Sequence, residues 1–276
     1  MTKQNQIDYG SNPQVGKYLE VNDIKVYYEI YGEGEPLLLL HGNSGSIESF
    51  ECQIPELSKQ FKVIAVDSRA QGRSTDSESD ITYALMASDM SEFIAKLNLG
   101  SVNVLGFSDG GNIGLELAYA HPDKVKKLMT LGANYNFENA WAKADSIVMD
   151  PNDPLIAKTS SLVKKFGSVF KRLSPNPDKV PQIRKKLAAL AKKNPNFTID
   201  QLKKIATPIL VVAGDHDMVK LDQTISLFTN LPHSQLFIVP GASHLAFVEQ
   251  PGLINSVAVN FFKTPFRDID NHYFFK

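Results

Sequence analysis

The run Gly106-Phe107-Ser108-Asp109-Gly110-Gly111 sets a serine between an apolar stretch, Val102-Asn103-Val104-Leu105, and an amphipathic one starting at Asn112. A serine on a tight strand-to-helix turn is held in a strained backbone. Glycines flank it because side chains there would meet neighbouring backbone. The turn raises the hydroxyl above the sheet, near the positive end of the helix that follows. A serine hydroxyl is a weak nucleophile at neutral pH, so a base must take its proton.

Six histidines are available: His41, His121, His216, His233, His244 and His272. His244 stands out because it follows Pro240-Gly241-Ala242-Ser243, read as a loop just past the strand Leu236-Phe237-Ile238-Val239. Such a loop opens at the carboxyl edge of an α/β sheet, where ligands bind. An imidazole base needs a carboxylate to fix its tautomer and to stabilise the imidazolium. Asp215 and Asp217, on either side of His216, are both in reach by sequence, and the residues alone leave that choice open. Acyl transfer also needs donors for an oxyanion. The Asp109 N–H at the helix start is one. Asn43, directly after His41-Gly42, is the other. The Asp-His-Asp run lacks a third metal ligand, so neither metal nor cofactor is expected. Cys52 is the only cysteine, and with no base or strained turn beside it, it reads as a bystander.

Elements of a particular kind must position these residues. Residues 17–21 and 25–31 alternate apolar and polar around Asn22-Asp23, as a half-exposed hairpin does. PLLLL, VIAVD, VNVLG, LMTLG and PILVVAG are short, almost continuous apolar runs, as buried parallel strands are. Helical spacing separates them at residues 83–97, 112–120 and 223–229. Strand and helix alternating in this way predict an α/β chain with a doubly wound, mostly parallel sheet. Residues 135–204 break the rhythm with helical periodicity alone. One stripe is Leu162, Phe166, Val169, Phe170 and Leu173, and another is Ile183, Leu187, Leu190 and Ala191. Pro151, Pro154, Pro175, Pro177, Pro181 and Pro195 mark breaks between these helices. The expected organisation is a core of residues 17–134 and 205–265, a helical cap of residues 135–204, and tails of residues 1–16 and 266–276, the first of them frayed.

The net charge of −1 conceals an uneven distribution. Residues 135–206 hold 14 Lys and Arg against 6 Asp and Glu, and the remainder holds 15 against 24. A basic insertion either steers anionic substrates to a cleft or presents solvated helix faces. Near-neutral charge without a recognition motif argues against nucleic acid as a partner. No apolar run is long enough to span a bilayer. The polar first residues lack the apolar stretch of a signal peptide, which favours a cytoplasmic protein, although a secreted chain with its leader removed reads the same. Oligomeric state is not legible.

With these landmarks, LLLLHGNSGS, VDSRAQGRS, GFSDGG, GDHDMV and GASH, the chain resembles the α/β-hydrolase superfamily over residues 17–262. The order Ser, Asp, His is that of the fold. The resemblance implies that the acid is the last residue of a Gly-x-x-Asp pattern, hence Asp217, and that Asn43 supplies an oxyanion N–H. The Ser-Asp-Gly-Gly elbow is similar to the valacyclovirase-like branch of ester hydrolases. Dehalogenases and epoxide hydrolases of this fold use aspartate as nucleophile, so Ser108 argues against both. The expected activity is hydrolysis of a small carboxylic ester through Ser108, His244 and Asp217. A lactonase, a carbon–carbon bond hydrolase, a perhydrolase or a slow-turnover ligand sensor would use the same triad.

Overall fold

A computed structural model describes residues 7–138, 140–142, 164, 168 and 171–269 of the chain. One eight-stranded sheet runs in the order β1-β2-β4-β3-β5-β6-β7-β8. β1 (Lys17–Val21) and β2 (Ile24–Tyr31) form the antiparallel edge hairpin, and Asn22 takes a positive φ in its turn. β2 pairs antiparallel with β4 (Lys62–Val66). β3 (Pro36–Leu40), β4, β5 (Val102–Phe107), β6 (Val125–Leu131), β7 (Ile209–His216) and β8 (Ser234–Ser243) run parallel.

The two-residue period of a strand sorts the apolar runs onto two faces. Leu38, Leu40, Ile64, Val66, Val104 and Val211 enter one hydrophobic cluster. Leu37, Leu39, Val63, Ala65, Leu105 and Val212 enter the other. The first face is covered by α2 (Tyr83–Lys96), α3 (Asp109–Ala120) and α6 (Leu221–Asn230), and the same cluster extends into α4 (Val180–Ala191) and α5 (Ile199–Leu202). The second is covered by α1 (Ile54–Leu57), α7 (Ala246–Glu249) and α8 (Pro251–Lys263). Helices on both faces of a largely parallel sheet make the fold the doubly wound α/β type.

Three details differ from the sequence reading. Residues 7–16 are not frayed where it matters: the buried Glu29 carboxylate accepts the N–H groups of Gly10 and Asn12 at 2.8 and 2.9 Å. Burying that carboxylate requires donors, and the N-terminal segment supplies them. β8 continues through Pro240–Ser243, read above as loop, because the Asp215 carboxylate accepts from Gly241 and Ala242 N–H and prolongs the pairing with β7. Pro181 does not separate helices. It lies in the first turn of α4, where its missing N–H costs nothing.

In the insertion, α4 buries Val180, Ile183, Leu187 and Leu190 as a single stripe. Of the stripe at residues 162–173, Leu173 is buried, and Leu162, Phe166, Val169 and Phe170 lie outside the described residues. Single-residue bridges Asn136↔Asn196 and Trp141↔Val219 join the insertion to itself and to the loop after β7. Its positive charge meets acidic groups of the core. Arg172 pairs with the buried Glu48 at 2.8 Å, and Lys186 pairs with Asp76 at 2.9 Å and donates to the Ser77 and Ser79 carbonyls.

One buried cation ties the loop after β4 to α2. Arg69 is 1% exposed; it donates from Nε and Nη2 to both oxygens of Asp89 at 2.7 Å, and it also reaches Asp23 and Ser77. Removing it leaves the buried Asp89 carboxylate without its cation, with the Asn22 amide still donating to it. Arg69→Ala is therefore expected to cost about 3–5 kcal/mol of unfolding free energy in urea titration. A loss under about 1 kcal/mol would contradict this account of the loop.

Candidate active site

The residues singled out above come together at the carboxyl ends of the parallel strands. Asn43 follows β3, Ser108 follows β5, Asp217 follows β7 and His244 follows β8. Ser108 stands at φ 51 and ψ −117, a strained conformation for a residue with a side chain, with its N–H donating to the Leu131 carbonyl at 2.8 Å. The turn closes only around glycine. A Cβ on Gly110 would lie 1.9 Å from the Leu40 carbonyl oxygen, and one on Gly106 would lie 2.3 Å from that of Gly110. The helix begins at Asp109 rather than Asn112, directly after Ser108, so the Asp109 N–H is a first-turn donor with no carbonyl within the helix to receive it.

Strands β5 and β7 are separated by β6, so Ser108 and Asp217 start roughly 10 Å apart. The His244 imidazole spans that gap. Its Nε2 is 3.1 Å from Ser108 Oγ, and its Nδ1 is 2.7 Å from Asp217 Oδ1. The ring crosses the end of β6 at Gly132, whose φ is +62. A Cβ there would lie 2.7 Å from His244 Nδ1 and 2.9 Å from Asp217 Oδ2. The Phe107 ring lies against the imidazole, with centroids 5.0 Å apart and planes tilted by 48°. The Asp217 carboxylate is nearly buried and also accepts from the Val219 N–H at 2.8 Å, which fixes its plane.

Asp215, the competing carboxylate, is spent elsewhere. Hydrogen bonds from the Gly241 N–H, from His216 and from the Ala242 N–H hold it below its ordinary carboxylate range. The loop after β3 is held by side-chain acceptors. The Ser44 N–H donates to Gln71 Oε1 at 2.6 Å, and the Ile47 N–H donates to Asp67 Oδ1 at 2.8 Å. Burial pushes the Asp67 carboxyl up to about 7, against the pull of two backbone donors, Arg73 and Ile47. Tyr83 was not singled out by sequence: its hydroxyl donates to Asp109 Oδ1 at 2.8 Å, and a tyrosine opening a helix carries no signal of that contact.

A cavity of about 520 Å³ opens at Ser108, walled by Phe107, Trp141, Arg184, Leu187, Met218 and Leu245 among others. A larger groove of about 1010 Å³ runs between β8 and α8, but its lining carries no nucleophile–base pair. The smaller space is the one lined by both Ser108 and His244. Among the described residues, no group of three His, Cys, Asp or Glu side chains is arranged to hold a metal, and no helix is long and apolar enough to cross a membrane.

Residues 35–173 match the family model described as alpha/beta hydrolase fold. The chain is 29% identical to a putative carbamate hydrolase RutD of Caulobacter sp. (strain K31), covering 86% of this chain and 95% of that protein. It is 28% identical to a putative non-heme chloroperoxidase of Synechocystis sp., with the same coverage of each. Among solved structures, an esterase from Exiguobacterium antarcticum superposes with a TM-score of 0.73 at 25% identity, covering 90% of this chain and all of that one.

Two predictions come from this geometry. Gly132→Ala is expected to push the imidazole off Asp217, so the downfield proton resonance of the His244 Nδ1–H in the wild type should move upfield or vanish; an unchanged resonance would contradict the crossing at Gly132. The second concerns His41, which is fully buried, with Nδ1 2.8 Å from the Gly42 carbonyl oxygen and Nε2 3.0 Å from the Ser68 N–H. One nitrogen must donate and the other accept, so the neutral ring fits and the protonated one does not. Burial pushes its pKa down to about 4. The unfolded chain takes up that proton below about 6.5 and the folded one resists it, so this group's contribution to stability is lost as pH falls from 6.5 towards 4. Titration by NMR should find His41 still neutral at pH 5.

Proposed function

The chain belongs to the α/β-hydrolase fold family, and from that premise we propose that it is a serine hydrolase cleaving small carboxylic esters through an acyl-enzyme. One observation carries the reading: a single imidazole lies within hydrogen-bond reach of a strained serine at 3.1 Å and of a near-buried carboxylate at 2.7 Å, beside a cavity of substrate size.

In the proposed cycle Ser108 Oγ attacks the ester carbonyl while His244 Nε2 takes the serine proton. Asp217 receives the Nδ1–H hydrogen bond and stabilises the imidazolium. The N–H groups of Asn43 and Asp109 hold the oxyanion. When the tetrahedral adduct collapses, the carbon–oxygen bond to the alcohol breaks and the alcohol leaves with the proton from His244. Water then attacks the acyl-enzyme, giving a proton to His244. That proton returns to Ser108 as the carboxylic acid departs. The apolar walls around Phe107, Leu187 and Leu245 suit a short acyl group. A second reading, cleavage of a carbamate by the same residues, is favoured by full-length similarity to proteins described as putative carbamate hydrolases.

Ser108→Ala, His244→Ala and Asp217→Asn are each expected to lower kcat/KM on p-nitrophenyl esters by about 10³-fold or more. Asp215→Asn should remain within several-fold of wild type, because its carboxylate serves the turn at the end of β8. Folded Ser108→Ala with near wild-type turnover would overturn the assignment. Faster turnover of p-nitrophenyl carbamates than of matched esters would select the second reading.

A further inference from the structure

The Asp109 carboxylate has no part in the proposed proton transfers, yet it is 7% exposed, one residue from the nucleophile. Its two oxygens are taken by different elements. Oδ1 accepts from the Tyr83 hydroxyl at the start of α2, and Oδ2 accepts from Asn43 Nδ2 in the loop after β3, both at 2.8 Å. An ionised carboxylate is acceptor-only, so both contacts suit its charged form. Burial raises its pKa, and the bonds from Tyr83 and Asn43 pull the other way. The Asn43 carboxamide is held at its other end as well, because the Ser44 hydroxyl donates to its Oδ1 at 2.9 Å.

Asn43 and Asp109 are the two residues whose backbone N–H groups hold the oxyanion in the proposed cycle. They lie 66 positions apart in sequence and on separate elements. Two donors act on one oxygen only if both come within about 2.7–3.1 Å of it. Asn43 is exposed to solvent, and the backbone donors that hold its loop, Ser44 and Ile47 N–H, lie after it rather than on it. Tyr83, in contrast, is 2% exposed within the core cluster, and Thr82 caps its helix by accepting the Leu85 N–H. Helix α2 therefore anchors the carboxylate, and the carboxylate anchors the Asn43 side chain.

We infer that Tyr83, Asp109 and Asn43 form a side-chain clasp that sets the separation of the two oxyanion donors, with Tyr83 as a positioning residue. The inference rests on the serine-hydrolase reading. It also gives the Asp109 carboxylate an internal use, since the protein's own donors already occupy both of its oxygens.

The test is phosphonylation of Ser108 by an alkyl fluorophosphonate. The Ser108 oxygen–phosphorus bond forms as the phosphorus–fluorine bond breaks, fluoride leaves, His244 takes the serine proton, and the phosphoryl oxygen occupies the oxyanion position. The maximal rate, kinact, and the concentration dependence, KI, are measured for wild type, Tyr83→Phe, Asn43→Ala and the double variant. The clasp predicts kinact about tenfold lower in each single variant, with KI within twofold. It also predicts a double variant no slower than about the worse single, because both side chains act through Asp109. A merely structural Tyr83 would lower thermal stability and leave kinact alone. Wild-type kinact in Tyr83→Phe, or losses that multiply in the double variant, would overturn the clasp. If Tyr83→Phe does not fold, Asn43→Ala decides alone, since it keeps the backbone donor and removes only an exposed side chain. Failure of the wild-type chain to label at Ser108 would instead sink the serine-hydrolase reading, and the clasp with it.

Discussion

The site depends on one imidazole crossing the end of a strand. Ser108 and Asp217 leave the sheet on β5 and β7, and β6 lies between them. A serine–histidine–carboxylate relay at that separation exists only if the ring lies over β6 and nothing on β6 rises into its path. Gly132 meets that condition, since even a methyl group would lie 2.7 Å from His244 Nδ1. The remaining elements follow from it. β8 brings His244 in from the far side, Phe107 backs the ring, and the elbow at Ser108 lifts the hydroxyl to the height of Nε2. The strain at Ser108 is sustained because its turn is built against Leu40 and Leu131 on both neighbouring strands.

Much of this was legible in the residues. Apolar runs such as PLLLL and PILVVAG read directly as strands because both faces of a parallel sheet are buried, so burial and sequence pattern coincide. Ser108 and His244 were legible because their chemistry requires a particular local context, glycines at a turn and a loop at a strand end. Asp217 was separable from Asp215 only through family resemblance. The physical distinction is that Asp215 is consumed by the Gly241 and Ala242 N–H groups, a contact made across β8. The same long-range contact explains why Pro240–Ser243 read as loop and is strand. Tyr83 and Glu29 illustrate the limit: their partners lie 26 and up to 19 residues away, and no local pattern announces a hydrogen bond to a distant carboxylate.

The charge imbalance between insertion and core has a structural use. Arg172 with Glu48, and Lys186 with Asp76, place basic groups of the insertion on acidic groups of the core, close to the loops that shape the site. The Lys186 pair is mostly shielded from water, so salt screens it less than a surface pair. The insertion also supplies Trp141, Arg184 and Leu187 to the cavity wall, while the bridge from Trp141 to Val219 joins it to the Asp217 loop. The cavity wall and the Asp217 loop are thus joined at one short stretch of backbone.

The proposed acyl-enzyme is tested most directly by catching it. The chain is mixed with p-nitrophenyl acetate, quenched in acid within the first turnovers, digested, and read by mass spectrometry. The account predicts one acetyl group on the peptide containing Ser108, rising with the burst of nitrophenol, decaying as substrate is exhausted, and persisting in His244→Ala only as far as that variant reacts at all. Turnover with no acetyl on Ser108, or with the acetyl on another residue, would contradict nucleophilic attack by this serine.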